Sequence, residues 1–312
     1  MTSGGEGAPK KGDVKRDDLR SSREATSGVA YAAGAYLIWG FFPVYFHALG
    51  GVPALEVLSH RIVWSCAFLL LVITALRRWV GVYERLSKPG TIAWLALSAI
   101  AISSNWLIYI WAVNAGRVLE ASLGYFVNPL VTVLLGVVFL RESLTRRQWL
   151  AVGLAGVGVL FLVLRSDEVP WVALALAFTF GLYGLIRKRV VVDALGGLFA
   201  EVGLLFPLAI LYLGFLAATG RGHFGEATPR TLLLSASGVI TAVPLLMFAK
   251  GVERLALSTV GLLQYINPTE QFAIAVLAFK EPFTASHAVA FALIWASLLL
   301  YSLELVRIGR ER

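Results

Sequence analysis

From residue 28 onward the chain alternates long apolar runs with short polar breaks. The runs fall at about 28–48, 54–76, 91–113, 118–140, 146–164, 170–186, 194–218, 231–249, 257–279 and 286–306. A helix needs roughly 20 apolar residues, rising 1.5 Å each, to cross about 30 Å of hydrocarbon. Backbone amides find no water in lipid, so each run must satisfy its own amides as a helix. The pattern predicts an all-α, polytopic membrane protein with ten transmembrane helices. Residues 1–27 depart from it, being polar and rich in Lys, Arg, Asp, Gly and Ser. They predict a disordered basic cytoplasmic tail. A cleaved signal peptide is the weaker reading, because the tail runs into a full-length span. Residues 307–312 form the expected cytoplasmic C-terminus.

Composition agrees with the pattern. The chain of 312 residues is 58% hydrophobic and 15% charged, whereas soluble domains carry roughly 25% charged residues. The net charge of +8 raises nucleic acid as a partner, but the distribution argues against it. With the N-terminus inside, 21 of the 27 Lys and Arg residues fall in cytoplasmic segments. Arg117, Arg165, Arg221, Arg230 and Lys280 lie outside, and Arg61 lies within a span. This positive-inside bias puts both termini in the cytoplasm. Cys66 is the only cysteine, so neither an internal disulfide nor a cysteine metal cluster is available.

One block occurs twice. Asn128-Pro129, eleven residues and Arg141-Glu142 are matched by Asn267-Pro268, eleven residues and Lys280-Glu281. Ile38-Trp39-Gly40 likewise matches Thr179-Phe180-Gly181. Ten spans in two halves give five per half, and an odd number inverts the second half. The expected units are therefore 28–164 and 170–306, related by an axis in the membrane plane, with the substrate site where they meet. Pro129 and Pro268 each fall near mid-membrane and remove a backbone donor, which frees the carbonyls of Tyr125 and Gln264. Kinks that line a substrate path are one reading, and kinks repaired by neighbouring helices are the other.

Charges and amides inside spans need a reason, since a mid-bilayer charge costs at least ~2.5–3.5 kcal/mol. Arg61 and Glu201 approach the midplane from opposite faces and are expected to pair or to share a cavity; a structural ion pair competes with that reading. Glu56 and His60 share one face of span two, and with Glu120 they are candidates for proton coupling. Helix capping is the alternative for Glu56 and Glu120. Glu270, two residues past Pro268, admits the same two readings. Asn105, Trp106, Tyr109 and Asn114 gather on span three; with Trp39, Tyr125 and Tyr265 they could hold an aromatic or amphipathic solute. Four scattered histidines, no aspartate within a span and no nucleophile motif leave an enzyme little support.

Several stretches carry a family resemblance: Tyr36–Gly40, Ser59–Ser65, Asn105–Leu107, Trp111–Asn114, Leu119–Leu130, Gln148–Val152, Tyr183–Arg187 and Leu257–Thr259. Together they resemble the RarD branch of the EamA transporters, within the drug/metabolite transporter superfamily. The resemblance runs from residue 28 to about 306. It implies a multi-pass carrier of the plasma (bacterial inner) membrane with two EamA repeats, and a branch named for a link to chloramphenicol sensitivity. Lys280 stands where the family usually has glycine. The expected function is secondary transport of a small organic metabolite or drug-like solute by alternating access, with no cofactor, no metal and no catalytic residue. The expected partners are the solute and the lipid bilayer, with a monomer or homodimer and no nucleic acid. The expected path is Trp39, Arg61, Asn105, Trp106, Asn114, Tyr125, Asn128, Glu201, Gln264, Tyr265 and Asn267. A membrane sensor that binds but moves nothing is the rival.

Overall fold

A computed structural model describes residues 11–115, 118–164, 171–277 and 285–311. The described residues are helical and contain no strand. In chain order the first helices are α1 (Lys11–Gly40), α2 (Phe42–Ala48), α3 (Ala54–Ala75), α4 (Trp79–Leu86) and α5 (Thr91–Asn114). Next come α6 (Val118–Leu140), α7 (Arg146–Val163), α8 (Trp171–Arg189) and α9 (Ala194–Thr219). The chain closes with α10 (Thr228–Arg254), α11 (Leu257–Leu263), α12 (Ile266–Leu277) and α13 (Ala285–Glu311).

Among the described residues, six helical stretches are long and apolar enough to cross a membrane. They are Arg23–Ala48, Ala54–Ala75, Thr91–Ala112, Trp171–Arg189, Ala194–Thr219 and Thr228–Arg254. The helices α6, α7, α11 with α12, and α13 cover the other four predicted runs.

Two expectations need correction. The basic tail is not disordered from Lys11 onward, because Lys11–Gly40 is one helix. Its residues up to Leu37 include no proline, so a helix begun in the apolar part extends cheaply into the polar part. The helix breaks also differ. Pro129 lies inside an uninterrupted α6, whereas the second copy breaks at Gln264-Tyr265, upstream of Pro268. Pro268 then occupies the first turn of α12, where a missing N–H costs little. The Gln264 carbonyl, freed as expected, accepts the Asn267 amide at 3.0 Å instead. A further break falls at Phe41 in the first run, with Pro43 in the opening turn of α2.

Close crossings depend on glycine. A Cβ on Gly238 of α10 would enter the backbone of Trp64 on α3. One on Gly261 of α11 would come within 3.0 Å of the Pro129 carbonyl and of Thr132 Cβ on α6. Small residues let helix backbones approach where lipid offers no hydrophobic drive. The first Asn-Pro block thus lies against the start of the span that carries the second.

Candidate substrate path

Arg61 sits on α3 and is only 2% exposed. Its Nε donates to Thr241 Oγ1 on α10 at 2.8 Å, while Nη2 has no partner. Its guanidinium lies 4.2 Å from the ring centroid of Trp106, and 5.5 and 5.6 Å from those of Phe42 and Phe46. The hydroxyl groups of Tyr45, Tyr109 and Tyr125 complete its electrostatic surroundings. The Tyr109 and Tyr125 rings stand 5.5 Å apart, edge to face, and Tyr125 reaches the Gln271 side chain on α12. Five elements therefore meet around one cation: α3 supplies the charge, α2 two aromatic faces, α5 the stacking ring, α6 a second phenol and α10 the hydrogen-bond acceptor.

The two broken spans meet beside this cage. Tyr36 of α1 donates its hydroxyl to the Val260 carbonyl of α11 at 3.1 Å. Gly40, the last residue of α1, lies so close to the Glu270 carboxylate on α12 that no Cβ fits between them. Glu270 Oε2, Gln264 Oε1 and the Tyr265 hydroxyl are buried without partners. Trp39 packs at 5.6 Å from Phe180 and 5.7 Å from Phe248.

Comparison with known proteins settles the family. The EamA-like transporter family matches residues 26–164. Uncharacterized transporter YojE of Bacillus subtilis is 46% identical, over 91% of this chain and 96% of its own. Protein RarD of Escherichia coli is 43% identical, over 93% and 98%. The chain belongs to the RarD branch of the EamA family. Another EamA relative is the Chloramphenicol-sensitive protein RarD of Pseudomonas aeruginosa, 35% identical over 93% of this chain and 98% of its own. A solved crystal structure at 20% identity aligns with 89% of this chain and 98% of that one, at a TM-score of 0.67. That likeness concerns the fold alone.

Within this EamA chain some expected partners are exchanged. Glu201 does not pair with Arg61. Its carboxylate lies 3.6 Å from Arg187 Nη1 on α8 and accepts Ser98 Oγ at 2.5 Å. Arg187 presses on Gly197, where a Cβ would collide with the guanidinium. The sequence places Arg187 at the end of a run, where it looked like a loop cation. Glu56 does not pair with His60 either. It accepts the backbone amide of His223 at 2.7 Å and contacts His223 Nδ1 at 2.8 Å. His60 stacks on Phe224 at 5.0 Å, with both ring nitrogens unpartnered.

The amides divide in the same way. Asn105 Nδ2 donates to the Leu176 carbonyl and to Thr179 Oγ1, which ties α5 to α8. Asn267 Oδ1 accepts Gln271 Nε2 at 2.7 Å, and Thr132 Oγ1 bonds Asn128 Oδ1 at 3.5 Å. Both asparagines are thus engaged within their own helices. The side chains of Asn114 and Glu120, and residues Lys280 and Glu281, lie outside the described residues.

Glu142, which the repeat suggested was only a loop residue, has a defined role. Its carboxylate accepts the amides of Leu257 and Ser258 at 2.6 and 2.9 Å, the first two residues of α11. A carboxylate there satisfies free N–H groups and complements the helix dipole. Lys188 Nζ bonds the Val252 carbonyl at 2.7 Å and the Leu255 carbonyl at 2.5 Å, so one end of the molecule is held by several cross-links.

Proposed function

We propose that this membrane transporter is a secondary carrier of small organic solutes. It works by alternating access between two inverted five-helix halves in the plasma membrane, with both termini in the cytoplasm. Helix pairing carries this reading. Span one (α1 with α2) packs on span eight (α10), as span six (α8) packs on span three (α5). Span two (α3) packs on span eight, as span seven (α9) packs on span three. Pairs four–nine, five–ten and two–seven map onto themselves when the halves are exchanged. A two-fold relation between halves predicts this arrangement, and inverted repeats place the site between them.

In this reading Arg61, Trp106, Tyr109, Tyr125 and Trp39 line the path, and the α11–α12 break supplies Gln264 and Tyr265. Glu142, Lys188 and the Arg187–Glu201 pair close the cytoplasmic end. Proton coupling falls to Glu270, whose Oε2 has no partner, and His60, whose two ring nitrogens have none, rather than to Glu56.

The test is solute flux into proteoliposomes containing the purified protein. Carriers saturate and show counterflow, because each cycle moves bound solute. Flux that rises linearly with concentration and shows no counterflow would identify a pore. Binding without flux would favour a sensor.

A further inference from the structure

We infer that Arg61 is the anchor for an oxyanion, a carboxylate or a phosphate, on a solute with a flat apolar body. The inference rests on the transporter reading and adds a substrate class to it. A guanidinium withdrawn from water demands a counter-charge or a full set of acceptors. Arg61 has one hydrogen bond to Thr241 and three aromatic faces. Among the described residues no carboxylate lies within ion-pair distance of it, and the titratable groups whose electrostatics reach it are the phenols of Tyr45, Tyr109 and Tyr125. The contrast with Arg187, equally buried but paired with Glu201, marks Arg61 as the unusual case. Cation–π contacts hold the guanidinium plane but leave the in-plane N–H of Nη2 unused. A planar fork with a free edge fits two oxygens of a carboxylate or a phosphate. The rings of Trp106, Phe46 and Tyr109 around it offer stacking surface to the rest of the solute.

Isothermal titration calorimetry on the full chain in detergent tests this with three probes of one shape: phenylacetate, phenyl phosphate and the neutral phenylacetamide. At least one anion should bind at least tenfold more tightly than the amide, and which anion does so separates carboxylate from phosphate. Arg61→Gln should remove that preference, and Arg61→Lys should weaken it several-fold. The wild-type comparison needs no variant, so it stands even where Arg61→Gln does not fold. Equal binding of all three probes, binding of none, or an anion preference that survives in Arg61→Gln or is unchanged in Arg61→Lys would overturn the assignment. Anion binding without flux would overturn the transport reading and leave the site standing. Saturable flux of the amide without anion preference would do the reverse.

Discussion

Two buried arginines differ in what surrounds them, and the difference separates a structural charge from a functional one. Arg187 faces Glu201, whose carboxylate also accepts the Ser98 hydroxyl. Removing one member of a buried ion pair strands the other, at about 3–5 kcal/mol. Glu201→Gln should therefore lower the thermal midpoint in detergent by several degrees, whereas Arg187→Met with Glu201→Leu should recover much of the loss. A double variant no more stable than the single one would show that the pair contributes little. In-span charges were visible in the sequence, but their partners were not. Helical spacing reports neighbours on the same helix, such as Glu56 and His60. Glu56 instead reaches His223 across the fold, a choice made by helix rotation and loop geometry. The aromatic environment of Arg61 was partly legible through Trp106 and Tyr125, yet Phe42, Phe46 and Tyr45 were hidden in an ordinary apolar run.

At the scale of elements, the predicted runs agree closely with the helices because burial in lipid imposes length and apolarity together. The breaks were harder to place. Pro129 was expected to interrupt its helix and does not, while Gly40, noted only as part of the repeat, and Pro43 flank a real break. A proline ends a helix only where its neighbours do not hold the backbone on either side, and α6 is held by α8 and α11. The meeting of the two broken spans gives a sharp prediction. Gly40→Ala should displace the Glu270 carboxylate and reduce flux by about tenfold or more, since about 1.4 kcal/mol of misfit is one decade and overpacking costs ~1–3 kcal/mol. Gly40→Ala with Glu270→Ala should relieve the clash, restoring stability to near that of Glu270→Ala alone. Thermal unfolding and flux measured side by side would reveal either failure.

At the scale of the molecule, the main pairings run between halves: α6 with α8, α7 with α13, α1 with α10, and α3 with α9 and α10. Glu142 in the first half even supplies the cap for α11 in the second. The doubled Asn-Pro block was legible because order and spacing can be read along a chain. The interleaving was not, since nothing in a linear sequence says which copy a helix will face. The consequence concerns manufacture. Synthesis at about 5–20 residues per second leaves the first five helices in the bilayer without their final neighbours for roughly ten seconds or more. During that interval Arg61 has no Thr241 to bond. The nascent first half should be a target for membrane quality control, and its survival should depend on the arrival of the second. Expressed alone, residues 1–168 should be degraded rapidly; co-expressed with residues 169–312, they should persist and co-purify. A half that accumulates by itself at full-chain levels would mean that each repeat is a self-sufficient unit after all.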